Sequence, residues 1–214
     1  MDINRLPRSV LRHLAGAIFP PRCVLCGSPG LKDMDICAHC YQGLPWLEAC
    51  CVQCAIPLAG DSADRLRCGQ CLQHPPAFDH STCLFSYRDD AVQLIHQLKF
   101  KEKLVNSRLL GTLLAQAVQR NATALPECIV PVPLHRRRLK QRGFNQAIEL
   151  ARPSAGLFNL PVDSRSVVRL RDTHAQTGLD RVQRRKNLRG AFELVQPLSV
   201  SHLAIVDDVV TTTS

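Results

Sequence analysis

Apolar and polar positions along the second half of the chain alternate between helical and strand periods. Within "DDAVQLIHQLKF", Val92, Ile95 and Leu98 recur at helical spacing, which predicts a helix capped by Asp89 or Asp90. "SRLLGTLLAQAVQ" (107–119) predicts a second helix, and "NQAIELA" (145–151) a third that Pro153 cuts short. "STCLFSY" (81–87), "SVVRL" and "LAIVD" read as strands. "CIVPVPLH" (128–135) is a β-branched run ending in prolines, hence a strand feeding a tight loop. Strands alternating with helices predict an α/β fold with a doubly wound, mostly parallel sheet. In such sheets ligands bind beyond the carboxyl ends of the strands, where "PVPLH" and "DDVVTTTS" fall.

The first 19 residues differ. Leu6, Val10, Leu14, Ala17 and Ile18 share one face of a basic amphipathic helix, read as docking on its own protein rather than on a membrane. Arg12 and His13 interrupt the apolar stretch, so it does not resemble an export signal. No run approaches the roughly 20 apolar residues that span a bilayer.

Length and composition add bounds. The chain has 214 residues and 45% apolar content, which suits one core-forming domain plus a small module. Its net charge of +9 favours anionic partners such as phosphates or nucleic acid without choosing between them. The surplus is concentrated in "HRRRLKQR" (135–142) and in Arg181 to Arg189, each with five Arg or Lys and no acid. Both runs also fit plain solvated faces. Aromatics make up only 5% of the chain, which leaves few stacking platforms for single strands. Eleven cysteines, ten of them before residue 84, need a reason. Without an export signal disulfides explain them poorly, and the reading is a cytoplasmic protein.

The cysteines supply their own explanation. "CVLC" (Cys23, Cys26), "CAHC" (Cys37, Cys40), "CVQC" (Cys51, Cys54) and "CGQC" (Cys68, Cys71) are separated by 10, 10 and 13 residues. A C-x-x-C turn sets two thiolates on one side of a cation, and a second turn completes a tetrahedron. Eight such cysteines predict two four-cysteine zinc sites, a double zinc ribbon over 20–75. Pairing of neighbours is simplest, and interleaving stays open. Cys50 lacks the spacing that Cys51 keeps, and Cys83 and Cys128 sit in apolar runs as small core residues. His39 and His74 lie beside knuckles, but the eight thiols suffice. Large apolar residues are sparse here, so the metals stand in for a core and their role is structural. The linker "QHPPAFDH" (73–80) then leads to a domain over 81–214.

The last loop has specific chemistry. A hydrophobic strand delivers Asp207 and Asp208 to its carboxyl end. Neighbouring carboxylates accept hydrogen bonds from a vicinal diol such as ribose, or hold Mg²⁺ through water. The small residues 211–214 let backbone N–H groups and hydroxyls surround a phosphate.

"VDDVVTTTS" (206–214) resembles the phosphoribosyl pyrophosphate (PRPP) signature of type I phosphoribosyltransferases. "VPVPLHRRRLKQRGFNQA" (130–147), "RDTHAQTGL" (171–179) and "RRKNLRGAF" (184–192) are similar to motifs of the ComF family, which includes GntX-type proteins. The resemblance spans residues 20 to 214, with the motifs in order. It implies a double zinc ribbon joined to a type I phosphoribosyltransferase-like domain, with a link to competence proteins and to the handling of single-stranded DNA. It assigns Asp207 and Asp208 to the ribose-binding catalytic pair, and Thr211, Thr212, Thr213 and Ser214 to the 5′-phosphate loop. Pro133, Leu134 and His135 match the pyrophosphate-side loop, adjoined by Arg138, Arg142 and Asn145. Gln176, Arg184, Lys186 and Asn187 match a later segment that covers the site. The implied ligand is Mg–PRPP or a related phosphoribosyl compound, whose anomeric carbon a nucleophile attacks with loss of pyrophosphate. The alternative is a zinc-organised DNA-binding or interaction factor that keeps the fold without turnover. The chain departs from the family where Thr213 replaces a glycine. Family members also continue with a helix and further strands after this loop, so the expectation is a domain incomplete at its C-terminus.

Overall fold

The computed structural model describes residues 20–58, 66–122, 124–173 and 181–210. The predicted N-terminal helix, Gln176 and the loop Thr211–Ser214 lie outside the described residues. Two compact units result, Met1–Leu44 and Pro45–Ser214.

In the first unit the Cys23–Cys26 turn closes through Gly27 N–H to Cys23 O (2.8 Å) and Cys23 N–H to Ser28 O (2.8 Å). Gly27 takes φ 77°, a left-handed conformation that glycine adopts without a Cβ clash. Helix α1 (Ala38–Gly43) follows, N-capped by Cys37, whose sulfur accepts the Cys40 N–H.

The second unit begins with the same device. Ala55 N–H bonds to Cys51 O (2.8 Å) and Cys51 N–H to Ile56 O (2.9 Å). The bridge Arg22 to Pro29 in one copy corresponds to Cys50 to Pro57 in the other. Cys68 caps helix α2 (Gly69–Gln73) through the Cys71 N–H, as Cys37 does for α1. "CVLCGSP" and "CVQCAIP" are therefore two copies of one ribbon, and Ala55 accepts the left-handed φ (57°) that Gly27 takes freely.

"STCLFSY" does not form a ladder strand. Its partner is the short ribbon stub around Trp46, which supports an isolated antiparallel bridge to Phe85. Leu47 N–H to Leu84 O and Ser86 N–H to Pro45 O (both 3.0 Å) complete it, with the Trp46 and Phe85 rings 4.8 Å apart.

Helix α3 (Asp89–Lys101) buries Leu94, Ile95 and Leu98, with Val92 half-buried. Its N-cap is Arg88, which makes no side-chain capping bond. Asp89 and Asp90 occupy the first turn instead, where carboxylates complement the helix dipole. The second predicted helix is α4 (Leu104–Asn121), three residues longer at its start than the pattern indicated. Strand β1 (Cys128–Pro131) leads into α5 (Arg136–Arg142) and α6 (Gln146–Phe158).

Helix α6 is not cut short by Pro153 but runs through it. A proline inside a helix removes a hydrogen bond and costs about 3 kcal/mol or more. Packing offsets this. The ring lies over Gly111 of α4, where an added Cβ would stand 2.9 Å from Pro153 Cγ and 2.5 Å from Leu150 O. Ser154 Oγ also donates to Gly111 O (2.9 Å), an interhelical bond beside the missing ladder bond. The cross-helix fit that rescues the proline involves residues some 40 positions away, which periodicity in one segment does not register.

β2 (Val167–Arg169) pairs antiparallel with β3 (Phe192–Leu194), and α7 (Arg181–Leu188) lies between them in sequence. β4 (Leu203–Val206) pairs parallel with β1, from Cys128 opposite Leu203 to Pro131 opposite Val206. On its other side β1 meets Val162 in a parallel bridge, through Ile129 N–H to Pro161 O and Asp163 N–H to Ile129 O (both 2.9 Å). Hydrogen-bonded on both sides and buried at all four positions, β1 is the centre of a small parallel sheet in a mixed α/β fold.

The Gly111 contact predicts a pair of opposite outcomes. Gly111→Ala should destabilise the protein by about 1–3 kcal/mol in urea unfolding, because the methyl meets backbone. Gly156→Ala, in α6 with open space around its would-be Cβ, should stabilise by about 0.5–1 kcal/mol.

Candidate functional site

The eight predicted ligands form two clusters by neighbour pairing. In each of Cys23/Cys26/Cys37/Cys40 and Cys51/Cys54/Cys68/Cys71, all four sulfurs lie within 4.8 Å of one another. Four sulfurs about 2.3 Å from one zinc ion in a tetrahedron are about 3.8 Å apart. Cys26 Sγ to Cys37 Sγ is 3.6 Å, and Cys54 Sγ to Cys68 Sγ is 3.7 Å. The interleaved pairing is thereby excluded, and Cys50, Cys83 and Cys128 belong to neither cluster.

Backbone N–H groups point at the sulfurs. Cys40 N–H reaches Cys37 Sγ (3.5 Å), Cys68 N–H reaches Cys51 Sγ (3.3 Å) and Cys71 N–H reaches Cys68 Sγ (3.4 Å). Bonds from Ser28 bring the Cys26 thiol down to about 6. Burial opposes ionisation of Cys51, but N–H groups of Cys54, Cys68 and Gln53 outweigh it, and the thiol falls to about 6. Burial and three neighbouring thiols push Cys71 up to about 12, and the same causes push Cys40 far above its ordinary value. Each cluster thus holds a thiol that ionises readily beside one whose neighbours oppose its ionisation, and a soft divalent cation would ionise all four together. The donor sets fit two structural zinc ions, each closed by four thiolates.

A second constellation lies at the carboxyl end of the parallel pair. β1 ends at Pro131 and delivers Pro133, Leu134 and His135, while β4 ends at Val206 and delivers Asp207 and Asp208. Val132 N–H donates to Val206 O (2.9 Å), so the two loops leave the sheet side by side. Asn145 caps α6 through the Ala147 N–H (2.9 Å), and its Nδ2 donates to Val132 O (3.0 Å). His135 caps α5 through the Arg137 N–H.

Cations crowd this end. Lys99 of α3 stands 2.5 Å from Asp208 Oδ2, with side-chain exposures of 22% and 5%. Asp207 keeps accessible surface, yet surrounding protein raises its carboxyl to about 6, while Lys99 and Arg169 pull it down. Burial lowers Lys99, and Asp207 opposes that shift. Arg142 donates to Gln146 Oε1 (2.6 Å) and lies over the Phe100 ring at 5.7 Å. Arg138 donates to Thr173 O (2.7 Å). Asp172 gathers His135, Arg137 and Arg138 at 3.7, 3.5 and 3.6 Å.

The structure thus brings His135, Arg138, Arg142 and Asn145 to the same end of the sheet as Asp207 and Asp208. Lys186 is exposed and Asn187 half-buried on α7, on which Arg184 also lies. Three residues escaped the sequence reading: Lys99, Arg169 and Asp172. Lys99 left one trace. It follows buried Ile95 by four positions, so it continues the apolar stripe of α3 where a surface lysine does not belong. Arg169 and Asp172 carry no such mark.

Comparison with known proteins agrees with the double zinc ribbon. Residues 14–72 match the double zinc ribbon domain family. The chain is 39% identical over 200 residues to the DNA utilization protein YhgH of Salmonella typhimurium, covering 91% of this chain and 87% of that protein. To the Escherichia coli K12 protein of the same name it is 38% identical with the same coverage. It is 31% identical over 209 residues to competence protein F of Haemophilus influenzae, covering 92% of this chain and 87% of the relative. No solved structure matches.

Elemental analysis of reduced protein purified without added metal should find about two zinc ions per chain. Cys37→Ser or Cys68→Ser should each lower that to about one, and a folded protein with none would refute the centres. In the ligand-free protein the Asp207 carboxyl should titrate near pH 6 by carbon-13 NMR. Because the folded value lies above the ordinary one, the neutral form is favoured, and any stabilisation from Asp207 is lost as pH rises through about 6. An ordinary acidic midpoint would show the carboxyl to be freely solvated.

Proposed function

The chain belongs to the ComF family, and from that premise we propose that its second unit binds Mg–PRPP or a related phosphoribosyl ligand in the service of DNA utilisation during competence. The observation that carries the reading is the pairing of β1 with β4, which sets the loop Pro133–His135 beside Asp207 and Asp208 among Lys99, Arg138, Arg142 and Arg169. Carboxylates there suit a ribose diol, and cations suit a pyrophosphate. A doubly wound phosphoribosyltransferase-like sheet completed around β1 is part of the same proposal, as is coverage of the site by Gln176, Arg184, Lys186 and Asn187. So is a 5′-phosphate loop at Thr211–Ser214.

Asp208 Oδ2 supports a cation at this place. It is buried, receives no directed hydrogen bond, and faces the Lys99 ammonium. Asp207 and Asp208 would hold Mg²⁺ through water, and the metal would neutralise phosphate charge as pyrophosphate departs. The protein's own contribution is positional. Asn145 fixes the turn after β1, Arg138 and Arg142 present charge to phosphate oxygens, and the acidic pair orients the ribose.

A second reading, a DNA-handling factor without turnover, draws on α5. There Arg136, Arg137 and Lys140 are exposed along one short helix. Single-stranded DNA would lay its phosphates on them without base readout.

Calorimetric titration with Mg–PRPP separates the two. Micromolar to millimolar binding, weakened at least tenfold by Asp207→Asn with Asp208→Asn, is the expected result, and the absence of binding by a folded wild-type chain would sink the first reading. For DNA, about five phosphate contacts give a log–log salt slope near −3.5. Replacing Arg136, Arg137 and Lys140 by alanine should flatten it by about 2. An unchanged slope would remove α5 from the interface.

A further inference from the structure

A half-buried lysine bound to one of two adjacent carboxylates is a cation already in place. We propose that Lys99 is the resident counter-ion of the acidic pair, displaced from Asp208 by the divalent cation of the incoming ligand. This rests on the phosphoribosyl reading for the ligand's identity, but not for the charge exchange itself.

The geometry is specific. The Asp208 backbone N–H donates to Asp207 Oδ1 (2.8 Å), which fixes the Asp207 carboxylate against the backbone of its neighbour. The Lys99 ammonium pairs with Asp208 and also attracts Asp207, which Arg169 attracts as well. The lysine's root is fixed. α3 ends at Glu102 in a left-handed cap, with its N–H on Gln97 O. Buried Asn106 of α4 donates to Leu94 O (3.0 Å) and Gln97 Oε1 (3.2 Å). Its head is free to move, because a lysine carries a compact charge on a flexible four-carbon stem. Around that head stand Arg142, which repels it, and Arg169, which competes with it for Asp207.

A divalent cation carries two charges to a place where Lys99 supplies one. Once it arrives, the ammonium is redundant there and is repelled. Phosphates accompanying the metal offer that ammonium a new partner beside Arg142. A metal–phosphate ligand therefore exchanges both charges together and leaves none unpaired, whereas metal alone evicts the lysine without rehousing it. This makes Lys99 a positioning residue whose effects on metal and on metal–phosphate binding have opposite signs. A purely structural ion pair would move both in one direction.

Two measurements test it. In Lys99→Met, affinity for Mn²⁺ alone should rise about tenfold, while affinity for Mg–PRPP should fall about tenfold. In the wild-type chain, which avoids any folding defect of the variant, amine acetylation read by mass spectrometry reports whether Lys99 is engaged. Acetylation should increase several-fold on adding Mn²⁺ and fall back with Mg–PRPP. Labelling of Lys99 that ignores Mn²⁺, or a variant that binds Mn²⁺ no tighter than wild type, would overturn the proposal. Mn²⁺-dependent labelling in a chain that binds no Mg–PRPP would overturn the phosphoribosyl reading and leave the counter-ion role standing.

Discussion

The charged constellation at the sheet end of the second unit depends on one hydrogen-bonded strand. β1 pairs with β4 on one side and with Val162 on the other, both in parallel. Parallel pairing brings strand ends of the same sense together. That is why a loop near residue 133 and another near residue 207 share an edge despite the chain between them. Burial of all four residues excludes water from the ladder, so the register from Cys128 to Pro131 is set by packing as well as by bonding. Helix α6 presses on this pair, and α4 presses on α6 over Gly111. The charged end is thus held by an apolar stack.

The ribbons are built on a different principle. Cys51, Cys54 and Cys71 are themselves buried and form a small cluster with Ile56, Leu58 and Cys68 packed around them. Sulfur takes the place that leucine and isoleucine take elsewhere. Such a cluster has little apolar area to hold it, and its stability is that of its metal bonds.

What sequence made legible was local, and what it missed was remote. C-x-x-C spacing located both metal centres because each ligand pair lies within one turn. Strand β4 was readable because an apolar run ends in two acids. Pro153 misled because its effect is normally decided within its own helix, whereas here Gly111 of another helix decides it. The stretch around Phe85 misled more mildly: "STCLFSY" has strand composition, but its neighbour is too short for a ladder. Lys99 was written in the pattern as a charge on an apolar stripe. Only the fold revealed that Asp208 lies opposite, because that contact joins residues 109 positions apart (99 and 208).

Duplicated ribbons begin as equals, and these two no longer are. Among the described residues, the backbone bonds of the first copy's turns join residues within 20–44. The second donates and accepts beyond itself: Val52 O holds Ser81 N–H, Gln53 Nε2 holds Phe78 O, and the stub at Trp46 aligns Phe85 just before α3 begins. Its Ala55 even endures a backbone angle that its counterpart's glycine takes without cost. A change in the second copy is therefore transmitted to the start of α3, whereas the same change in the first has no such route through these bonds.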